Sequence, residues 1–318
     1  MSKKSKYVAV PYVVWMIIFI VVPLVLIGVF AFTTTVQVDD GGNILTAEEY
    51  DEYVAELTYE LDESGEEYDI NEILENDDIT EKTVFTLSHI MEVSKYSTVL
   101  INSAWLALIA TVICLFIAYP LAYMISRMRE SRQKLALMLV MLPMWMNFLL
   151  RTYAWMTLLE KNGLINKLFG LIGLGPFEMI NTQGAVVLGM IYNYLPFMIL
   201  PLYSVMTKID SRTVEAAQDL GANGLQVLGR VIIPLSMPGV ATGITQVFVP
   251  SISTFIISRM LGGGTNMLIG DLIDLQFLGN AYNPSLGAAI SLVLMVFIIL
   301  CMSITNQLDN DDTEGVLL

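Results

Sequence analysis

Long apolar stretches separated by short polar segments dominate the chain. Six of them reach the roughly 20 residues that a helix needs to cross a bilayer. They cover residues 11–32, 97–125, 135–159, 184–206, 232–257 and 285–307. The first is too long for the apolar region of a typical signal peptide and lacks a clear small-x-small cleavage site, so we expect a retained helix. The pattern predicts an all-α membrane protein with six transmembrane helices.

The composition supports the membrane class and concentrates the charge in one loop. Of the 318 residues, 55% are hydrophobic, and the mean hydropathy is +0.64. A soluble protein of this size needs far more polar surface. The net charge is −15, and 19 of the 31 acidic residues lie in residues 37–95. This loop is either a charged surface segment or an acidic antenna that concentrates cationic substrate or contacts a binding protein. Thr46 and Glu49 match a capping box and suggest a helix over residues 46–57.

Cysteine and histidine, which often carry catalysis or bind metals, are scarce in this chain. Cys114 and Cys301 both lie inside apolar stretches, which favours a packing role. They provide neither a disulfide framework nor a metal-ligand spacing. His89 is the only histidine and has no companion, so we expect it to be structural. The cysteines and the histidine therefore provide no catalytic or metal-binding arrangement, and the sequence predicts no catalytic residues and no metal site.

The Lys and Arg residues of the loops predict the orientation. Ten lie on one side and six on the other side and its helix ends. The richer side is expected to be cytoplasmic. It holds Lys3, Lys4, Lys6, Arg127, Arg129, Arg132, Lys134, Lys208, Arg212 and Arg230. Both termini and the loop at residues 208–231 are therefore predicted to lie inside the cell, and residues 37–95 outside.

The segment from Asp210 to Pro234 predicts two short helices with a sharp corner. Asp210 or Ser211 can cap the first helix, and Gly221 suits the left-handed residue that ends it. Asn223 followed by Gln226 three residues later is a start signal for a second helix. Pro234 then marks the start of the next membrane segment.

This segment resembles the cytoplasmic EAA loop of ABC-importer permeases, which docks the membrane subunit onto an ATPase. The Glu-Ala-Ala, the Gly four residues later and the final Pro fall in register, whereas Val231 and Ile233 stand where Ile and Leu are usual. The resemblance implies a type I ABC-importer permease fold and a transport component rather than an enzyme. It assigns ATPase coupling to Glu215, Ala216, Ala217, Gly221 and Pro234.

Residues 95–305 further resemble the permease of spermidine/putrescine ABC importers. The matching pieces include Asn102-Ser103, Leu142-Pro143-Met144-Trp145-Met146-Asn147, Leu195-Pro196-Phe197-Met198, Gly262-Gly263, Leu268-Ile269-Gly270 and Gly287-Ala288-Ala289. The acidic insertion is longer than this family would suggest. The resemblance implies a polyamine substrate, two ATPase subunits, a second permease subunit and an extracytoplasmic binding protein.

The resemblance and the span pattern together divide the chain into four parts. Residues 1–36 form the cytoplasmic N-terminus and the first transmembrane helix, and residues 37–95 form the acidic extracytoplasmic loop. Residues 96–307 form the permease domain with its coupling loop at 208–231. Residues 308–318 form an acidic cytoplasmic tail.

Several residues of the spans are candidates for a substrate path. Pro143, Asn147 and Arg151 are spaced four apart and are therefore expected to share one helical face. Arg151 either reaches the outer interface or faces the path. Aromatic faces hold ammonium groups, although aromatics in spans also serve as packing or interfacial anchors. The full candidate set is Trp145, Asn147, Arg151, Tyr153, Tyr192, Tyr194, Asp271 and Asp274, of which the last two would share a helix face near the outer mouth.

The sequence also bears on where ATP binds and on which alternative functions stay open. No Gly-x-x-x-x-Gly-Lys-Ser/Thr loop is present, so ATP is expected to bind to a separate subunit and no cofactor is expected here. The alternatives are an importer for another small solute, such as an opine, iron or an oxyanion, and a secondary transporter. Inverted repeats or a buried carboxylate relay would favour the secondary transporter, and the sequence shows neither.

Overall fold

A computed structural model describes residues 11–38, 55, 80–264, 266–279 and 281–315. It contains five helices that are long and apolar enough to cross a membrane, or six spans if a bent pair counts as one. The chain divides into two compact units, one of residues 1–94 and 283–293 and the other of residues 95–282 and 294–318. The predicted helix over residues 46–57 lies outside the described residues, apart from the single residue 55.

The first unit pairs a membrane helix with a short antiparallel hairpin. Its elements are α1 (Pro11–Phe32), β1 (Thr33–Val38), β2 (Thr80–Phe85), α2 (Ser88–Val93) and the start of α13 (Pro284–Gly315). Strands β1 and β2 pair with Thr33 opposite Phe85 and Val38 opposite Thr80. The rings of Phe32 and Phe85 stack with centroids 5.8 Å apart. The two ends of the acidic loop are thus held together by a hairpin that the sequence analysis did not predict.

The second unit is a bundle of helices built around three long ones. Its elements are α3 (Ser97–Ser126), α4 (Glu130–Met141), α5 (Phe148–Leu159), α6 (Leu164–Leu171), α7 (Gln183–Met206), α8 (Ser211–Asp219), α9 (Gly224–Val227), α10 (Ile233–Ile252), α11 (Ile256–Gly262) and α12 (Ile269–Leu278). Helices α3, α7 and α10 pack on one another. One apolar cluster, which includes Leu106, Met190 and Leu261, fills one end, and another, which includes Ile125, Leu202 and Met206, fills the other.

Glycines let α10 approach α7 closely. A Cβ atom on Gly239 would lie 3.0 Å from the carbonyl oxygen of Pro201, and one on Gly243 would lie 2.6 Å from the Met198 sulfur. Gly239 and Gly243 are one turn apart, so both face α7. Small residues at this spacing are typical of helix pairs in membranes, where close packing replaces the hydrophobic effect. The two helices are therefore expected to move together.

The third apolar stretch, predicted as a span over residues 135–159, is broken into two helices. Helix α4 and a 3₁₀ turn (Leu142–Trp145) are followed by α5 at an angle of 89°. Pro143 lies in the 3₁₀ turn, and Asn147 is the N-cap of α5, where its Oδ1 accepts hydrogen bonds from the N–H groups of Leu149 (2.8 Å) and Leu150 (3.4 Å). The proline and the cap residue together end one helix and begin the next. Pro143, Asn147 and Arg151 consequently do not share a helical face.

Two π-helical turns precede prolines inside the long helices. The turn Ile17–Val21 ends two residues before Pro23, and the turn Leu228–Ile232 ends two residues before Pro234. Proline has no N–H to donate and its ring crowds the preceding turn, so the wider π turn accommodates it. Pro234 therefore lies in the first turn of α10, within a continuous helical stretch that runs from Gly224 to Ile252.

Candidate functional site

The first helix of the 208–231 loop has well-formed ends. Asp210 is the N-cap of α8, and its Oδ1 accepts a hydrogen bond of 2.9 Å from the N–H of Arg212. Gly221 follows the helix with a φ of +87°. The N–H of Gly221 donates to the carbonyl of Gln218 (2.9 Å), and the N–H of Ala222 donates to that of Ala217 (3.1 Å). These two bonds define a Schellman motif, which confirms the expected left-handed Gly221.

The second helix of the loop is continuous with a membrane helix. Asn223 Oδ1 accepts from the N–H of Gln226, and Gln226 Oε1 accepts from the N–H of Asn223, both at 2.9 Å. This is the predicted capping box. The helix it starts runs for 29 residues, from Gly224 to Ile252. At 1.5 Å per residue it is about 43 Å long, and it connects the corner at Asn223 with the far end of α10.

The loop presents small, acidic and apolar side chains on its surface. Glu215 and Ala216 are exposed, and Ala217 is half-buried. Leu220 is 90% exposed and Leu225 is 81% exposed, on either side of the Gly221 corner. Two such leucines in a polar loop are typical of a surface that a partner protein covers. The sequence analysis missed both leucines, because a single leucine carries no signal until its exposure is known.

The candidates in the third stretch separate at the bend. Trp145 and Tyr153 are exposed on either side of it, and Asn147 is used as a helix cap. Arg151 is only 8% exposed. It therefore does not extend to the surface of the described chain.

Arg151 is a buried cation with incomplete hydrogen bonding. Its guanidinium lies 5.9 Å from the centre of the Phe148 ring, and its charge acts on the hydroxyl of Tyr194. Within the described part of the chain, neither Nε nor Nη1 has a hydrogen-bond partner. Burying an unpaired charge is costly, and ionisable residues within membrane helices are usually retained for function. Arg151 is therefore a strong candidate for a functional residue.

Helix α7 carries two candidate tyrosines in different settings. Tyr192 packs edge-on against Trp155, with ring centroids 5.3 Å apart. The hydroxyl of Tyr194 donates to the carbonyl of Pro250 at 3.3 Å. Pro250 lies inside α10. Tyr194 thus joins α7 to the helix that continues from the coupling loop.

Polar residues around Tyr194 form a buried group that the sequence analysis did not single out. Asn193 is buried, and its Nδ2 donates to the carbonyl of Gly189 at 2.9 Å. Its Oδ1 has no hydrogen-bond partner among the described residues. Ser251 and Thr254 are also buried, near the end of α10. The sequence did not indicate a role for Ser251 and Thr254, because small hydroxyl residues are common in membrane helices.

The two aspartates of α12 come together around Arg259. Arg259 Nη2 lies 2.5 Å from Asp274 Oδ2, and its Nε lies 4.0 Å from Asp271 Oδ1. Asp271 is buried, and its Oδ2 accepts a 2.9 Å hydrogen bond from the N–H of Leu268 at the start of α12. Arg259 and both carboxylates line a cavity of about 270 Å³. Asp271 and Asp274 share one helix face, as predicted. They also lie next to the guanidinium of Arg259, a contact that the sequence did not indicate.

The environment of Asp271 favours its neutral form. Burial raises the pKa of this carboxyl, whereas hydrogen bonds from Ser258 and from the N–H of Leu268 and the charge of Arg259 lower it, and the net shift is upward. Asp271 consequently acts first as the cap of α12. Asp274, on the more open side, is the better candidate for meeting a soluble cation.

The family and its relatives are evident from sequence and structure comparisons. The family described as binding-protein-dependent transport system inner membrane component matches residues 118–311. The spermidine/putrescine transport system permease protein PotB of Haemophilus influenzae is 41% identical over 224 residues, which cover 69% of this chain and 78% of that protein.

Solved structures show the same fold. A chain of a bacterial ABC transporter involved in the import of the acidic polysaccharide alginate superimposes with a TM-score of 0.67 at 15% identity, covering 96% of this chain and 95% of that chain. A chain of the alginate transporter in complex with an alginate pentasaccharide-bound periplasmic protein gives a TM-score of 0.65 at 15% identity, covering 96% and 93%. This chain therefore belongs to the family of binding-protein-dependent transport system inner membrane components and has the type I ABC-importer permease fold.

Proposed function

We propose that this chain is the permease subunit of an ATP-driven importer that takes up spermidine or putrescine by alternating access. The assignment of the substrate rests on the 41% identity to a permease named for those polyamines. The structures that share the fold belong to alginate transporters at 15% identity, so they support the assignment of the fold but not that of the substrate. Opines, iron and oxyanions have no comparable support.

The proposed orientation follows from the charge distribution. The side with ten Lys and Arg residues faces the cytoplasm. Both termini, the coupling loop at 208–231 and the acidic tail at 308–318 then lie inside. The acidic loop at 37–95 lies outside, where the hairpin of β1 and β2 holds its ends together. The permease domain occupies residues 96–307.

The proposed complex divides the work among several chains. This chain hydrolyses nothing and binds no cofactor, and separate ATPase subunits bind ATP. A second permease subunit completes the membrane core, and an extracytoplasmic binding protein delivers the polyamine. The alginate transporter bound to its periplasmic protein supports this last partner by analogy of fold.

The coupling step uses the rigid connection between the loop and the membrane. Glu215, Ala216 and Ala217 on α8 meet the ATPase, with the exposed Leu220 and Leu225 as apolar anchors. Movement of the ATPase tilts the helix from Gly224 to Ile252 as one body. Gly221 fixes the corner between α8 and that helix, and Pro234 is accommodated within it by the π turn.

That tilt reaches the polar group near the middle of the bundle. Tyr194 is bonded to the Pro250 carbonyl, and α7 contacts α10 through Gly239 and Gly243. The path offers aromatic faces at Trp145, Tyr153, Tyr192 and Tyr194 for ammonium groups. Arg151 near Tyr194 repels a bound cation, which keeps the binding weak enough for release.

The outer mouth offers an arriving cation the carboxylate of Asp274, which is paired with Arg259. Two carboxylates and one guanidinium line the same cavity. Asp274 exchanges Arg259 for an ammonium group of the arriving polyamine, since both are cations that suit the same carboxylate. Asp271 stays in place as the helix cap.

Uptake of radiolabelled spermidine in a strain that lacks other polyamine importers tests the proposal. Cells that express this chain with its ATPase, second permease and binding protein should accumulate the label, and unlabelled putrescine should compete. Uptake of an anion or sugar with no uptake of either polyamine would overturn the substrate while leaving the family membership intact.

A further inference from the structure

The second unit contains a large apolar pocket next to the coupling loop. Its volume is about 830 Å³, and its walls come from α3, α8, α9, the π turn that follows α9, and α10. Phe116, Tyr119 and Tyr123 line one wall, Val214 and Gln218 of α8 another, and Met237 and Val240 a third. This volume is in the range of pockets that hold a whole small ligand, about 300–1,000 Å³.

The pocket has the depth of one leaflet of a membrane. Along α3 its lining extends from Leu115 to Met124. At 1.5 Å per residue these residues are about 14 Å apart, and half of a hydrocarbon core is about 15 Å thick. In the proposed orientation, its end next to the 208–231 loop would lie at the headgroup level and its other end near the bilayer centre. The lining is apolar at depth, where an acyl chain would lie.

The side chain of Arg127 lies beside the end of the pocket that is nearest the end of α3. The guanidinium of Arg127 lies 5.4 Å from the centre of the Tyr123 ring, which lines the pocket. Arg230 lies in the π turn whose neighbours Leu228 and Ile232 also line it. On α8, Val214 and Gln218 are one turn apart and face the pocket, whereas the adjacent carboxylates Glu215 and Asp219 are rotated by about 100° around the helix.

We propose that this pocket binds an anionic phospholipid of the cytoplasmic leaflet, with its acyl chain between α3 and α10 and its phosphate beside Arg127. Basic residues at the cytoplasmic end of a cleft between membrane helices are typical of sites for anionic headgroups. The inference rests on the proposed orientation and is independent of the transported solute. Because α8 forms part of the wall, the lipid contacts the same helix that is proposed to dock the ATPase.

Photolabelling of the assembled transporter tests this site. The complete complex is reconstituted with phosphatidylglycerol or phosphatidylcholine that carries a diazirine midway along one acyl chain, and the labelled peptides are mapped. Phosphatidylglycerol should label residues 115–124 and 232–240 about fivefold more strongly than phosphatidylcholine. That ratio corresponds to about 1 kcal/mol for one cation near an anionic surface.

Two charge variants distinguish binding of the lipid at this pocket from a general attraction of anionic lipid to basic residues. Arg127→Gln should reduce the labelling by phosphatidylglycerol to the level of phosphatidylcholine. Arg132→Gln, which removes a cation from the same side of the chain without removing the one beside Tyr123, should keep the preference. Equal labelling by both lipids in the unaltered complex, or equal effects of the two variants, would overturn the proposal. Cross-links from the pocket to the second permease subunit in place of lipid would also overturn it.

Discussion

Gly221 offers the sharpest test of the coupling loop, because its conformation rather than its contacts makes it necessary. Its φ of +87° is in the left-handed region, and a Cβ atom there would have no heavy atom within 4 Å. A substitution is therefore strained but not obstructed. For a residue other than glycine, this conformation costs about 1–2 kcal/mol.

That strain predicts a defined loss of coupling. If the corner between α8 and α9 relaxes to relieve the strain, the docking-competent form becomes about 5- to 30-fold less populated. Gly221→Ala should weaken ATPase association by that factor. Gly221→Val should weaken it further, because β-branched residues tolerate this region least. Gly221→Asn should retain more association than Ala, because asparagine adopts the left-handed conformation more readily.

The assay is the affinity of the purified permease pair for its ATPase, measured together with ATP-dependent uptake. Gly229→Ala is the matched control, because Gly229 lies in the same loop region without a positive φ and also has nothing within 4 Å of a Cβ atom. The reasoning is refuted if Gly221→Ala and Gly229→Ala bind the ATPase equally well, or if both keep full uptake.

Three further outcomes are expected. In a variant without its native cysteines, a cysteine at Ser64 should react with an impermeant thiol reagent in intact cells, and one at Asn223 should not; the reverse pattern would contradict the orientation. Since burial raises the pKa of Asp271, its neutral form stabilises the fold at low pH, and that stability is lost as pH rises through the folded-state pKa. The melting temperature of the native complex minus that of Asp271→Asn should therefore fall as pH rises above about 4, the ordinary pKa of an aspartate, and a difference independent of pH would disprove this. Arg151→Met should leave the melting temperature equal or higher, because it removes an unpaired buried charge, while uptake falls; a loss of stability with unchanged uptake would make Arg151 structural.

Local signals in the sequence were enough to predict the conformation of the 208–231 loop and most of the spans. The ends of α8 and α9 are determined by residues within a few positions, so Asp210, Gly221 and Asn223 could be assigned from their types and spacing. The long apolar runs likewise specify membrane helices without reference to any partner.

Features that depend on distant residues could not be predicted. The hairpin joins strands separated by more than 40 residues, and no short-range pattern encodes that pairing. Arg259 lies 15 residues before Asp274, so its ion pair follows from the turn between α11 and α12. The break at Asn147 was concealed because apolar residues continue on both sides of it, as they would in one straight span.

The central claim is that polyamine import is driven by an ATPase docked on the 208–231 loop. The most direct test is spermidine accumulation in vesicles that contain the purified permease pair and ATPase, with the binding protein on the opposite side. The label should accumulate only when ATP is present on the side of the loop, and Gly221→Val should abolish it while the permease pair stays intact. Accumulation driven by an ion gradient without ATP would contradict the account.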